Sequence, residues 1–155
     1  MVLSTKTSAT ARSRPSATVA HAGTAASAAQ SLGAESAHGK VGNLANWTTT
    51  SFFPAKPLGC YGDGGAIFTD NDELFNTLES IRVHGKGRNK YDNIRVGLNA
   101  RLHTIQAAIL LAKLQIFPDE LVRKQAVAEL YTAGLSTTTD MLTLPYVPQG
   151  MQSAW

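Results

Sequence analysis

The residue type best suited to chemistry is the lysine at position 56. It sits in the segment Ser51-Phe-Phe-Pro-Ala-Lys56-Pro-Leu-Gly-Cys-Tyr-Gly-Asp-Gly-Gly65. Its neighbours are prolines and aromatics rather than other charges. An apolar setting disfavours the charged ammonium, and a neutral amine attacks carbonyl carbon to form a Schiff base. The glycines downstream let backbone approach a ligand closely. On residues alone an ordinary reading stands beside this one, since a lysine between prolines is commonly a solvated loop residue. The glycines are not a Walker A loop, because no Gly-Lys-Ser/Thr follows, and they do not open a helix as Gly-x-Gly-x-x-Gly. Asp63 between glycines reads as a turn residue. His21, His38, His84 and His103 lack metal-ligand spacing. The single Cys60 excludes an intrachain disulfide framework and an all-cysteine metal site, and fits a reducing compartment. The basic loop from Arg82 to Arg101 could hold phosphate, although Asp92 within it suits a solvated loop as well.

The elements that must position these residues follow from the apolar pattern. Ala28 to His38 reads as a strand end and loop. Asn46 to Phe53 is rich in β-formers and reads as a strand, broken by Pro54, Pro57 and Gly59. Ala66 to Thr69 reads as a short buried strand. Asp70 is the expected N-cap of a helix carrying Leu74, Leu78 and Ile81, with Glu73 at capping-box spacing and Gly85 as its stop. His84 to Asn93 reads as a polar loop, and Ile94 to Leu98 as a short extended piece. A long helix starts near Thr104 and is expected to break near Pro118, with a further helix over Asp119 to Leu135. Two strands and three helices in mixed order suggest an α/β layer structure.

The 155 residues allow one ordinary domain. At 43% hydrophobic residues a core is possible. No apolar run approaches the roughly 18–20 residues that span a membrane. The net charge of +3 is unevenly placed. Lys6, Arg12 and Arg14 supply it, with no acid before Glu35, so the main body is neutral. That argues against a nucleic-acid-binding module, which needs basic residues gathered on a folded face. The first segment is rich in Ser, Thr and Ala and holds few large apolar residues, so it reads as disordered. Its acid-free, arginine-containing start also has the character of an organelle transit peptide, but it lacks the apolar centre of a secretory signal.

Several separated motifs together resemble the DegT/DnrJ/StrS-type nucleotide-sugar aminotransferases. They are the Lys56 segment, Arg82-Val-His-Gly, Lys90-Tyr91, Val96-Gly-Leu-Asn-Ala-Arg-Leu102 and Gln106-Ala-Ala-Ile-Leu, with Ala28-Ala-Gln-Ser-Leu-Gly-Ala at the start. The resemblance implies pyridoxal 5'-phosphate as cofactor and an aspartate-aminotransferase-like fold of type I. The expected fold class is therefore part of that α/β large domain, a mixed, mostly parallel sheet with helices. The resemblance implies that Lys56 carries the cofactor as a Schiff base and then shuttles a proton between substrate and cofactor. A lysine there, where some relatives have histidine and act as dehydratases, indicates transamination. Ser51 matches the serine that hydrogen-bonds the cofactor phosphate, and Gln30 the glutamine near the pyridoxal oxygen. Asn99 matches an asparagine that reaches the phosphate from the other subunit, and Arg101 supports that contact, which ties the site to a homodimer.

Two departures from the family pattern bear on activity. The family reads Glu-Asp-Ala-Ala-Gln-Ser where this chain reads Ala26-Ser27-Ala28-Ala29-Gln30-Ser31. Ser27 thus replaces the aspartate that pairs with the pyridine nitrogen, and a serine cannot hold that charge, so the cofactor should be a weaker electron sink. Family members are also much longer. The expected organisation is a disordered or non-native leader over residues 1–27, followed by a fragment of the aminotransferase large domain over 28–155, without the smaller C-terminal domain. The expected function is transamination of a nucleotide-linked keto sugar in surface-polysaccharide or amino-sugar synthesis. The wording around Lys56 most resembles members acting on UDP-linked 3-keto amino-sugar uronic acids. Glutamate is the expected amino donor and the cytoplasm the expected location, with no membrane or nucleic-acid partner. The isolated chain is expected to be inactive; the alternative is a non-catalytic remnant or partner-binding fragment.

Overall fold

The computed structural model describes residues 2–4, 24–89, 91–138 and 141–155. Its elements are, in chain order, strands β1 (Val2–Ser4), β2 (Ala25–Ser27), β3 (Glu35–Ser36), β4 (Gly39–Lys40), β5 (Trp47–Ser51) and β6 (Gly65–Thr69). Helices α1 (Asp72–Arg82) and α2 (Thr104–Leu135) follow, with a 3-10 turn at Ser136–Thr138. The sheet is mixed. Its order is β1-β6-β5-β2, with β1–β6 and β2–β5 parallel and the central β5–β6 pair antiparallel. A short antiparallel β3–β4 hairpin stands apart.

β5 forms where the sequence expects it. Its β-branched threonines suit a pleated surface, and Thr48 and Thr50 are buried while Trp47, Thr49 and Ser51 are half-buried. The register Trp47↔Thr69 through Ser51↔Gly65 brings the start of β6 beside the end of β5. Residues 52–64 must therefore close a loop between adjacent strand ends, and that loop contains Lys56.

The segment 1–27 differs from its compositional reading at both ends. Val2–Ser4 pairs with β6, and Ala25–Ser27 pairs with β5. Strand pairing uses backbone groups, so small residues such as Ala25 and Ala26 join a sheet without contributing to its core. Residues 5–23 lie outside the described residues.

Three further elements depart from expectation. The N-cap of α1 is Asn71, not Asp70: the Asn71 side chain accepts from the Leu74 N–H at 2.9 Å, while its own N–H donates to Thr69 Oγ1 at 3.2 Å. Asp72 and Glu73 then occupy the first turn, where the helix dipole favours them. The break at Pro118 does not occur. α2 runs on as one helix of 32 residues with Pro118 inside it. An interior proline costs about 3 kcal/mol, and here the burial of Phe117 beside it, with Leu110 and Leu121 on the same packed side, offsets that cost. Finally, Ile94 to Leu98 is not a strand. It crosses residues 83–87 through single bridges, Val83↔Asn99 and Lys86↔Asn93. The crossing is possible only because both chains carry glycine: a Cβ on Gly85 would lie 1.8 Å from Arg95 O, and one on Gly97 would lie 1.9 Å from Gly85 N.

The core sits under the loop rather than under the strands alone. Phe52, Leu58 and Cys60 of the loop join Ala66 of β6 and Leu110 and Phe117 of α2, with Leu32, Phe68, Leu102, Ile109 and Leu121 around them. α1 packs on the other partners, β1 and β6.

Candidate active site

Lys56 sits at the tip of the 52–64 loop, half-buried. The turn holding it is closed by the Lys56 N–H donating to Phe53 O at 2.9 Å. Below it the loop is stitched twice more: Phe52 N–H to Gly64 O and Cys60 N–H to Phe52 O, both 2.8 Å. The Cys60 thiol is fully buried and lies 3.0 Å from Phe52 O and 3.1 Å from Gly62 O. Gly59 is required by contact, because a Cβ there would meet Pro54 O at 2.5 Å.

Lys56 Nζ donates to Gln30 Oε1 at 2.6 Å, across 26 positions of sequence. The bond lies near the surface, between the half-buried Lys56 and the exposed Gln30. Gln30 reaches this point from the turn that follows β2. Ala28 N–H donates to Thr49 O at 2.7 Å and holds the start of that turn to β5. Gly33, at φ +99°, ends it against Leu121 and Phe117 of α2. Ser51 lies at the end of β5, half-buried, and its Oγ accepts from the Phe53 N–H at 3.2 Å. That bond uses an oxygen lone pair and leaves the hydroxyl proton free to donate. Ser27 occupies the last position of β2, exposed, in register with Thr49.

Asn99 and Arg101 form a second pair. Arg101 Nε donates to Asn99 Oδ1 at 3.1 Å, and both residues are exposed. Ala100 N–H donates to Arg82 O, so the pair is carried by the segment that crosses the end of α1. Among the described residues no hydrogen bond joins this pair to Lys56, Gln30 or Ser51. Of the five residues singled out in the sequence, hydrogen bonds join Lys56 to Gln30 and Arg101 to Asn99, while Ser51 stands at the root of the lysine loop, bonded to Phe53.

Two residues of α2, to which the sequence motifs give no role, also touch the lysine loop. Gln106 Oε1 accepts from the Tyr61 N–H at 2.8 Å, and Lys113 Nζ donates to Gly59 O at 2.7 Å. Lys113 also stands 5.3 Å from the Tyr61 ring centroid. The available signal is their spacing: seven residues, two turns of helix, put both polar side chains on the face of α2 that also carries Leu110 and Phe117. Among the described residues no cluster of His, Cys, Asp or Glu has the makings of a metal site, and no helix is long and apolar enough to cross a membrane.

Comparison with known proteins bears on this arrangement. Residues 25–155 match the family described as the DegT/DnrJ/EryC1/StrS aminotransferase family. The chain is 55% identical over 108 residues to the UDP-2-acetamido-2-deoxy-3-oxo-D-glucuronate aminotransferase of Pseudomonas aeruginosa, covering 70% of this chain and 30% of that protein. Its fold resembles the crystal structure of a DegT DnrJ EryC1 StrS aminotransferase from Brucella abortus, with a TM-score of 0.80 and 48% identity, covering 84% of this chain and 34% of that one. It also resembles DesV of S. venezuelae, solved in complex with a ketimine intermediate, with a TM-score of 0.74 and 35% identity over 83% of this chain and 34% of that one. The chain spans about a third of the length of the relatives it matches.

Proposed function

The chain belongs to the DegT/DnrJ/EryC1/StrS aminotransferase family, and on that premise we propose that it is the lysine-bearing part of a pyridoxal-phosphate-dependent aminotransferase acting on a nucleotide-linked keto sugar. The observation that carries this reading is the 2.6 Å bond between Lys56 Nζ and Gln30 Oε1. It sets a reactive amine, on a loop rooted in the core, against an acceptor that fixes its direction.

The residues fit one end of the cofactor and not the other. Lys56 would hold it covalently, Ser51 would donate its free hydroxyl proton to a phosphate oxygen, and Gln30 would lie beside the ring. The far end lacks a carboxylate, since β2 ends in the neutral, exposed Ser27. When bound, the cofactor supplies the electron-withdrawing ring that amino-group transfer needs. In this reading Lys56 does the proton work, giving and taking a proton at Nζ. Its bond to Gln30 gives the amine one direction, and the buried residues beneath the loop hold the backbone. Asn99 and Arg101, exposed and separate from the lysine group, complete the site of a second copy, which makes the active form a homodimer. The likeness to the Pseudomonas aeruginosa enzyme supports a UDP-linked 3-keto amino-sugar uronic acid as substrate, with glutamate as the amino donor.

Ser27 supports a second reading for the isolated chain, as a non-catalytic member that retains the lysine site. On this reading the chain binds cofactor but does not turn over. Addition of pyridoxal phosphate should produce a visible absorbance band that Lys56→Arg abolishes. A band unchanged by that substitution contradicts the assignment of Lys56. Amino transfer catalysed by the isolated chain contradicts the second reading alone.

A further inference from the structure

We propose that Gln106 and Lys113 of α2 are positioning residues for Lys56, acting together as a two-point clamp on its loop. The proposal rests on the reading of Lys56 as the cofactor lysine. Neither residue touches the amine. They act through the backbone three and five residues beyond it.

Lys113 takes the Gly59 carbonyl at 2.7 Å, and Gln106 takes the Tyr61 N–H at 2.8 Å. The two side chains leave one face of α2 about 10 Å apart along the axis. Gly59 is buried and lies against the Pro54 backbone so closely that no Cβ fits. Fixing Gly59 therefore fixes the 53–59 turn from its far side, and Lys56 is the middle of that turn. Gln106 closes on Gly62 as well: a Cβ there would be 3.2 Å from Gln106 Nε2. The same helix packs Leu121 and Phe117 against Gly33, at the end of the turn that carries Gln30. One rigid element thus sets both partners of the Lys56–Gln30 bond. The clamp takes a backbone carbonyl and an N–H, Gly59 O and Tyr61 N–H, which gives two polar side chains on this face their partners.

Cys60 lies between the two clamped positions and is fully buried, so its thiol reports whether the loop is docked. The rate of its reaction with 5,5'-dithiobis(2-nitrobenzoate) in the native chain measures loop opening. Each of Gln106→Leu and Lys113→Met should raise that rate about fivefold, the effect of one lost hydrogen bond on an opening equilibrium. The rise should exceed what the change in the global denaturation midpoint allows. Gln106→Glu keeps the acceptor and Lys113→Arg keeps the donor, so both should return the rate toward the parent value. In parallel, borohydride trapping of pyridoxal phosphate should lose its preference for Lys56 in the two disruptive variants. A parent-like Cys60 rate in both, or a rise fully explained by global unfolding, overturns the clamp. If the parent chain shows no preference for Lys56 while the Cys60 rates behave as stated, the clamp stands as a loop anchor and the cofactor reading fails.

Discussion

Two long connections carry the candidate residues, and they differ in whether buried side chains anchor them. The 52–64 loop adds side-chain anchoring to its own backbone bonds: Phe52, Leu58 and Cys60 are core residues, and Gln106 and Lys113 grip it from α2. The 83–101 segment is held by backbone: His84 N–H to Leu98 O, Ile94 N–H to Gly85 O, Leu98 N–H to Ile81 O and Ala100 N–H to Arg82 O, with Gly85 and Gly97 in contact. Its side chains mostly face outward, Val96 at 94% exposure and Tyr91 at 86%. A residue that must present a reactive amine at a fixed point gains from a packed root. Residues meant to meet something outside the chain need a stiff backbone and free side chains. The contrast matches the division of labour proposed for Lys56 and for Asn99–Arg101.

The difference is tested most severely by removing the packed root. Phe52→Ala should cost about 3–5 kcal/mol, seen as a large fall in the denaturation midpoint together with exposure of Cys60. Retention of a shielded Cys60 would mean that the loop does not depend on its core residues. Next, Gly97→Ala forces a Cβ into the Gly85 backbone and should cost about 2–3 kcal/mol. Its effect should be local: amides over 83–99 exchange faster, while Cys60 stays shielded. Loss of Cys60 protection in this variant would join the two regions that the contrast separates. Asn71→Ala removes the cap of α1, the helix that leads into the second segment, and should cost about 1 kcal/mol by denaturant titration. The smallest effect is expected at Arg101. Arg101→Ala should leave stability within about 0.5 kcal/mol, since the residue is exposed and bonds only to Asn99 among the described contacts. A larger loss would show that it is structural.

The sequence exposes the lysine loop well because proline, glycine and aromatic residues are concentrated there, and because the family motifs cross it. The strand before it is equally plain, since β-formers are concentrated from Trp47 to Phe53. Other features are hidden for physical reasons. Ala25–Ser27 looks like leader because strand pairing is a backbone property and leaves no mark on small side chains. Pro118 looks like a helix end because its local cost is visible in sequence, whereas the burial of Phe117 that offsets it is tertiary. Asn71 and Asp70 are both good caps by type, and the Thr69 hydroxyl that takes the Asn71 N–H decides between them. The bond between Lys56 and Gln30 spans 26 positions and follows from no local pattern. Gln106 and Lys113 were in plain sight, but a glutamine and a lysine on a helix read as solvated until the loop they grip is in place.

In the proposed function Lys56 is the amine that this site presents to a carbonyl. The most direct measurement is to mix the chain with pyridoxal phosphate, reduce with borohydride, and map the modified peptides by mass spectrometry. One dominant adduct is expected on Lys56, lost in Lys56→Arg and weakened in Gln30→Ala. Labelling spread evenly over the exposed lysines, with Lys56 no more reactive than Lys40 or Lys86, would contradict it.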